Sequence, residues 1–598
     1  MNIVFFVSCI LLIISFLLIK RNDKKSNLLK WILLSIVFFF CYNSFVVFLL
    51  SLFNIVAFEW VRLIINVLLI GSFSFMIYRK REIQQYYIKV TDVIISILLV
   101  VSVLLISNWR FKNNNFYFET TDPSVHFSWA ERFFEKPTLG MDMDEHLFYS
   151  SNSFDLFSAY VSAGTVFEFF GSKNVIDHLN LFVVFEVGVL ILSCLMLYFS
   201  IVKDKSKWYI RVLSGILSLV YILGYPLNNL IFGFHYLGLS ILLINTIIVL
   251  FMDYFKNDRS SKLIYYILLA LLNFSVFSFY YLFVPIIFGA EGLYLLLRWI
   301  FKKNTFKEFA FMVLYTLIIP FIIGIAIYFI YPRFLPNSSG GLSPFLIDGY
   351  IYRNLIGDFI IFIPFVIYSI INSAKDKKIN VVHCTYPFII LFMLGVFFWI
   401  LFGDAATYYY YKLYFLLSMI VFMTIGIELN KKNNLIFIIF VIYLAILLSA
   451  QLFNIEDRIS KKEFLLNPVS SINSIEYVYY YNGIIIDNRE PVFTKSQLES
   501  LDKIDDMFGD EVKSGNIIFY SGLLQKLWFY SLYDISATYN YSTLGDFYEE
   551  NVPFEKIKDD EKYKYILLNS NDEMKKEINK KFNTLYEDNN FIFFVRNN

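Results

Sequence analysis

The sequence predicts a mainly α-helical, polytopic membrane protein of about 14 transmembrane helices, followed by a small extracytoplasmic α/β domain. Three observations predict this fold class. Of the 598 residues, 58% are hydrophobic and only 17% are charged, whereas soluble proteins contain about 25% charged residues. Apolar runs long enough to cross a bilayer recur as far as residue 450. The remaining residues are more polar and acidic, which argues for a second, soluble part of the chain.

Runs of about 17 to 25 apolar residues can cross a bilayer as helices, because a helix satisfies its own backbone hydrogen bonds in hydrocarbon. They lie near residues 3–19, 31–52, 61–78, 91–108, 180–201, 208–224, 237–253, 262–278, 281–300, 309–330, 357–373, 385–402, 411–427 and 434–450. The first run has no basic segment before it and no cleavage motif after it. We therefore expect a retained helix rather than a signal peptide.

The basic residues predict how these helices are oriented, because Lys and Arg collect in cytoplasmic loops. Residues 1–450 contain 34 Lys and Arg, of which 25 lie in alternate connections between the runs. These connections are residues 20–30, 79–89, 203–211, 256–262, 298–307, 375–378 and 431–432. The pattern predicts a multi-pass protein of the cell (plasma) membrane. Its amino terminus, the segment 109–179 and everything after residue 450 are expected on the outer side.

Two domains follow from this division. Residues 1–450 form the transmembrane domain, which includes the extracytoplasmic loop 109–179, and residues 451–598 form the extracytoplasmic α/β domain. In the second domain we expect helices over 493–507 and 572–582 and strands over 516–520, 563–568 and 591–595. This domain has 17 basic and 25 acidic residues, so its charge argues against binding nucleic acid. The four cysteines form no CxxC pair and predict no disulfide framework.

The segment 109–179 contains 10 acidic and 5 basic residues, and a loop this long is usually functional. Asp122 and Pro123 are typical of a helix start, with Asp122 as N-cap. The helix that follows is expected to lie along the membrane surface, and a second amphipathic stretch covers residues 153–170. His126 comes one turn after Asp122 on the same face, so the two could take a proton from a hydroxyl group. The alternative is that Asp122 only caps the helix.

The same loop contains a second acidic cluster, formed by Asp142, Asp144, Glu145 and the adjacent His146. Carboxylate oxygens at this density could hold a divalent metal, Mg²⁺ or Mn²⁺, or bind the hydroxyl groups of an acceptor sugar. The alternative is a solvated acidic loop. The sequence has no Walker loop, GxSxG or HExxH motif, so the use of ATP is not indicated.

Three basic residues near the late helices fall on the expected outer face: Arg333, Arg353 and Lys412. Cationic side chains at helix ends suit the binding of a lipid phosphate, and arginine offers a planar fork to its oxygens. The alternative is that they reach the membrane interface without binding a ligand. His235 and Glu291 are isolated polar residues near helix ends, and for these we expect structural roles.

Many helices, an acidic early outer loop and an outward α/β domain together resemble the bacterial-type polytopic glycosyltransferases of the GT-C class. Residues 121–127 (TDPSVHF) look like the segment that contains the catalytic aspartate of that class, and residues 585–596 look like the closing strands of its soluble domain. The resemblance implies a polyprenyl-phosphate sugar as donor and a glycan, lipid or protein as acceptor. It also implies catalysis by Asp122 and donor-phosphate binding by a later outer loop.

This sequence departs from the GT-C pattern in one respect. In many members the acidic loop follows the first helix directly, whereas three further helices intervene here. Asp142 and Asp144 therefore remain alternatives to Asp122 as the catalytic base. The alternative function is a transporter or flippase of lipid-linked saccharides, which should carry charged residues or broken helices at mid-membrane.

Overall fold

The computed structural model describes most of the helical part and much of the carboxyl-terminal part of the chain. The described residues are 3–20, 25–53, 55–110, 122–138, 157–171, 174–256, 262–327, 358–375, 378–403, 407–431, 434–452, 492–512, 516–533, 535 and 553–597. Of the predicted site residues, Asp142, Asp144, Glu145, Arg333 and Arg353 lie outside these ranges.

The described chain is mainly helical. Up to residue 256 the helices are α1 (Ile3–Leu18), α2 (Leu28–Leu52), α3 (Glu59–Lys80), α4 (Val90–Arg110), α5 (Asp122–Glu135), α6 (Phe157–Phe170), α7 (Val175–Ile201), α8 (Trp208–Leu223), α9 (Tyr225–Phe232) and α10 (His235–Lys256). From residue 262 they are α11 (Lys262–Tyr280), α12 (Val284–Ile300), α13 (Phe306–Met312), α14 (Ile319–Ile325), α15 (Ile363–Lys375), α16 (Val381–Leu401), α17 (Thr407–Leu429) and α18 (Leu435–Leu452). A π-helical segment, Val313–Ile318, joins α13 to α14.

Ten stretches in the described ranges are long and apolar enough to cross a membrane, which indicates a multi-pass membrane protein. The predicted number of about fourteen is not confirmed. Helix α15 has 13 residues, the apolar helices at 3–18 and 435–449 are also short, and residues 262–300 count as one stretch. Within that stretch, however, the Asn273 side chain donates a hydrogen bond of 2.8 Å to Glu291. Residues this far apart are about 27 Å apart in one straight helix, so the chain turns back between α11 and α12.

The carboxyl-terminal region contains helices α19 (Lys495–Val512), α20 (Leu523–Leu532), α21 (Phe554–Ile557) and α22 (Lys575–Ile578). Besides the two-residue strands β1 (Ser26–Asn27) and β2 (Tyr86–Tyr87), the chain has strands β3 (Ile517–Tyr520), β4 (Tyr565–Asn569), β5 (Phe582–Glu587) and β6 (Phe591–Arg596). The last four form one sheet in the order β3-β4-β6-β5. Strand β3 pairs in parallel with β4, and the other two pairings are antiparallel. The three predicted strands are therefore present, and β5 is an additional one.

The helix predicted over residues 572–582 is wrong. Only the single turn α22 is helical, and the chain then enters the edge strand β5. The physical reason is that β5 exposes most of its side chains, so its sequence lacks the apolar alternation that usually marks a strand. Pairing with the buried strand β6 determines its structure.

The predicted amphipathic stretch at 153–170 also differs from the structure. Helix α6 has 14 residues, and eleven of them are buried, because it packs against α2, α5, α7 and α11. Gly164 allows the close approach of α5, since a Cβ atom at this position would lie 2.9 Å from the carbonyl oxygen of Ala130. Helix α6 is thus a core helix that supports α5.

Helix α5 connects the helical bundle to the carboxyl-terminal domain. One part of it packs on α6, and another contacts α20. The buried ring of Phe127 lies 6.0 Å from the ring of Trp528, which is itself fully buried. The hydrophobic core therefore continues from the bundle through α5 into one face of the sheet.

Candidate active site

The start of α5 is held against the connection between α9 and α10. Gly233 ends α9 with a positive φ of 69°, and a Cβ atom there would overlap the ring of Pro123. Glycine at this position both adopts the left-handed conformation and leaves room for the proline. The contact places the first turn of α5 beside His235, two residues after Gly233.

His126 faces this junction and is largely buried. Its Nδ1 atom lies 3.0 Å from the hydroxyl oxygen of Tyr160 on α6. Its ring lies 5.3 Å from the ring of His235 and 4.9 Å from that of Tyr236. Burial lowers the pKa of His126 well below its ordinary value, and the nearby His235 and Lys412 lower it further. The imidazole is therefore neutral at physiological pH, and its protonated form is disfavoured in this environment.

Lys412 reaches the same junction from the first turns of α17. Its side chain is buried, and Nζ donates a hydrogen bond of 2.6 Å to the hydroxyl group of Tyr236. Four aromatic rings surround the ammonium group at 5.1 to 5.7 Å, those of Phe234, Tyr236, Tyr280 and Tyr409. Such rings attract a cation through their electron-rich faces. A buried positive charge is thus held in an aromatic cage next to His126.

The sequence analysis predicted both His126 and Lys412, and the structure brings them together around Tyr236. We call His126, Tyr160, His235, Tyr236 and Lys412 the Tyr236 cluster. Asp122 is the first residue of α5 and comes about one helical turn before His126. The structure does not describe its side chain. The roles of Asp122 and of the five residues outside the described ranges stay predictions.

His235 was expected to be structural, and its neighbourhood suggests more. Its Nδ1 atom lies 3.4 Å from a carboxylate oxygen of Glu186 on α7, and both side chains are buried. Within the described part of the chain, neither ring nitrogen of His235 has a hydrogen-bond partner. Buried ionisable groups in membrane proteins usually mark functional sites, and this was the signal that could have assigned a functional role to the isolated histidine of the FGFHY sequence.

No metal site can be assigned among the described residues, since none of their His, Cys, Asp and Glu side chains form a group of three that could hold an ion. His126, His235 and Glu186 are close together but do not form such a group. The predicted metal ligands Asp142, Asp144 and Glu145 lie outside the described ranges. The Mg²⁺ or Mn²⁺ prediction therefore stays untested.

The Tyr236 cluster lies at the opposite end of the bundle from the basic connections. Helix α10 begins at His235, and near its other end Asp253 accepts a hydrogen bond of 2.6 Å from Lys30. Helix α17 carries Lys412 near its start, and near its end Glu428 binds Lys431. Both basic residues belong to connections that the charge pattern predicts to be cytoplasmic.

No protein-family model matches this chain, and a search of curated proteins finds no matching relative. The function must therefore be inferred from the chemistry of the Tyr236 cluster and its place in the helical bundle.

Proposed function

We propose that this protein is a membrane glycosyltransferase that transfers a sugar from a polyprenyl-phosphate donor to a glycan, lipid or protein acceptor. The observation that carries the proposal is the meeting of His126 and Lys412 around Tyr236. A neutral imidazole suits a residue that helps the base Asp122 to remove a proton, and a buried cation suits a residue that binds the phosphate. The distribution of basic residues favours the extracytoplasmic face for this reaction.

The reaction requires one proton transfer and one displacement. Asp122, helped by His126, removes the proton from an acceptor hydroxyl group. The acceptor oxygen forms a bond to the anomeric carbon of the donor sugar, and the bond from that carbon to the phosphate oxygen breaks. The bonding electrons leave with the polyprenyl phosphate, whose negative charge Lys412 stabilises. Because this is a direct displacement, we expect the configuration of the anomeric carbon to invert.

The aromatic cage explains why Lys412 suits this role. A lysine buried without compensation would be destabilising, whereas the four rings and the hydroxyl group of Tyr236 stabilise its charge before any ligand binds. A phosphate can then approach a cation whose position is already determined. Such preorganisation lowers the cost of binding and of stabilising the leaving group.

The test is an incubation of the purified protein, in detergent and in sealed vesicles, with a panel of radiolabelled polyprenyl-phosphate sugars. The proposal predicts transfer to an acceptor or slow hydrolysis of at least one donor, and loss of this activity in the Lys412→Met variant. Lys307→Met, at the end of the bundle with the basic connections, is the matched control and should retain activity. A protein that cleaves none of the donors would refute the enzymatic proposal.

One observation favours the alternative function, a transporter or flippase of lipid-linked saccharides. Glu291 is buried in the middle of α12, where it accepts the hydrogen bond from Asn273. Asn273 also donates a hydrogen bond of 2.7 Å to the carbonyl oxygen of Thr316 in the π-helical segment. A buried carboxylate beside an irregular helix is a feature of transport sites. In the vesicle assay, movement of the donor across the bilayer without cleavage would support this alternative.

A further inference from the structure

A polar cavity of about 540 Å³ lies between α5, the start of α7 and the carboxyl-terminal domain. Glu131 and Arg132 line it from α5, Asp505 lines it from α19, and Ser531 lines it from α20. Its volume falls in the range of about 300–1,000 Å³ that is typical of small-molecule sites. None of the described residues that line it belongs to the Tyr236 cluster, so this is a separate site.

Carboxylates determine the charge of this cavity. Glu131, Glu135 and Asp505 are negative, and Arg132 is the one guanidinium among the described lining residues. Counting only its carboxylates and Arg132, the described lining has a formal charge of −2. A cationic ligand would be attracted by this charge, whereas an anionic sugar or a phosphate would be repelled.

Glu131 is held in one position by its neighbours. Its Oε1 atom lies 2.6 Å from Nδ1 of His178. The His178 ring in turn lies 4.4 Å from the ring of Phe134 and stacks on Phe167 at 4.9 Å. A carboxylate that is oriented in this way loses little freedom when it binds a ligand.

Ser531 provides an independent sign that the cavity receives a polar ligand. The residue is only 2% exposed, and its hydroxyl oxygen has no hydrogen-bond partner in the described ranges. Buried hydroxyl groups are rarely left without a partner, because the loss of hydration is not compensated. A hydroxyl group of a ligand in the cavity would supply the missing hydrogen bond.

The cavity is also close to the Tyr236 cluster. Glu131 follows His126 by five residues on the same helix, which corresponds to a rise of about 7.5 Å. Five residues also correspond to a rotation of about 140° around the helix axis, so the cavity and His126 lie on different faces of α5.

We infer that the cavity binds a small saccharide that carries a protonated amine, with the ammonium group against Glu131 and Asp505 and a hydroxyl group against Ser531. Its role as the acceptor rests on the proposed function. Binding in the cavity does not depend on that function, so the two can be tested separately.

Binding is tested by isothermal titration calorimetry on the full-length protein in detergent, at a pH that keeps sugar amines protonated. The probes are the disaccharide of chitosan, which has two free amines, its diacetylated form, and digalacturonic acid. We expect the amine-bearing disaccharide to bind at least about tenfold more tightly than the acetylated one, because charge-assisted hydrogen bonds are the stronger ones. Digalacturonic acid should not bind.

The combined substitutions Glu131→Gln and Asp505→Asn should remove the preference for the amine. Glu135→Gln should weaken binding by itself, and this exposed side chain can be changed without disturbing the packing. Glu577→Gln, an exposed carboxylate elsewhere in the carboxyl-terminal domain, is the matched control and should change nothing. Thermal unfolding curves of all variants identify any that fail to fold.

Equal affinity for the free and acetylated disaccharides would overturn the inference, as would amine binding that neither set of substitutions weakens. Amine binding without any cleavage of polyprenyl-phosphate donors would refute the proposed function and leave the cavity assignment standing. Donor cleavage without amine binding would refute the cavity assignment and leave the proposed function standing.

Discussion

The Nζ atom of Lys412 lies 2.6 Å from the hydroxyl oxygen of Tyr236, and the ring of this tyrosine lies 4.9 Å from the ring of His126. One side chain thus links the proposed phosphate-binding cation to the imidazole that is proposed to assist the base. The cluster lies at the amino-terminal ends of two helices, because His235 begins α10 and Lys412 lies near the start of α17. In the proposed reaction, a donor whose phosphate contacts Lys412 has its sugar near this imidazole.

The first prediction concerns the charge of Lys412. Lys412→Met keeps the length and apolar stem of the side chain and removes the ammonium group, so the aromatic cage can stay filled. Because a hydrogen bond to a charged group contributes about 1.5–3 kcal/mol, donor affinity should fall by about tenfold or more. The measurement is the dissociation constant of a labelled polyprenyl phosphate, and Lys412→Arg should restore part of it.

Lys307→Met is the control for this prediction, because it removes an exposed lysine from the basic connection 298–307, far from the Tyr236 cluster. An unchanged dissociation constant in Lys412→Met, with a normal unfolding curve, would remove Lys412 from the donor site.

The second prediction is a pH dependence of stability. Burial lowers the pKa of His126 well below 6.5 in the folded protein, whereas the unfolded chain binds this proton near pH 6.5. The unfolded state therefore binds more protons as the pH falls below this value, so the free energy of unfolding decreases there and is unaffected above it. Denaturant unfolding at a series of pH values measures this dependence.

His126→Gln is the matched variant, because it removes the titrating group and keeps a polar side chain of similar reach. Its stability should decrease less steeply below pH 6.5 than that of the native protein. Identical pH dependence in the two proteins would mean that His126 does not titrate in this range on unfolding. In activity profiles, the loss of transfer that follows protonation of His126 should likewise lie below pH 6.5, because this imidazole stays neutral to lower pH.

The sequence singled out two residues of the Tyr236 cluster, His126 and Lys412, and it did so from local features. His126 was recognised from its one-turn spacing after Asp122, and Lys412 because it is a basic residue on the expected outer face. Helical spacing and the distribution of basic residues can both be read directly from the sequence. The helices themselves were predicted because apolar runs of membrane length have few other structures available.

Residues that act through tertiary contacts were not predicted. Tyr160, Glu186 and Tyr236 are ordinary members of apolar helices in the sequence, and their roles come from the packing of α6, α7 and α10 around α5. The pattern of one helix shows which face is apolar but does not identify the helix that covers it. The same limit applies to Ser531 and Glu131, which share a cavity only because α20 and α5 pack together.

The third prediction concerns the junction that positions α5. Gly233→Ala places a Cβ atom where Pro123 lies, at a residue whose φ is 69°. The substitution should destabilise the protein by about 1 kcal/mol or more, because alanine is strained at positive φ. It should also lower transfer activity, since α5 and His126 must shift. Thermal unfolding and donor turnover measure the two effects.

Gly188→Ala is the matched control, because this helical glycine of α7 has no atom within 4 Å of the position that a Cβ would occupy. Alanine there should leave activity unchanged and raise stability slightly, since it is the better helix former. Equal effects of the two substitutions would show that the contact between Gly233 and Pro123 does not position α5.

The last prediction identifies the catalytic base among the acidic residues of the segment 109–179. Asp122→Asn should lower the rate of transfer by about a hundredfold or more, since general base catalysis contributes typically 10²–10⁴-fold. Donor affinity and unfolding should stay close to those of the native protein, because the amide preserves the shape of the side chain. Asp142→Asn and Asp144→Asn are the matched comparisons from the second acidic cluster.

If His126 and Asp122 act on the same proton, the double variant with His126→Gln should lose little more activity than either single variant, because the effects of groups that act as a unit are not additive. Loss of transfer in Asp142→Asn or Asp144→Asn, with full turnover in Asp122→Asn, would instead assign the base to the second cluster and leave His126 as a positioning residue.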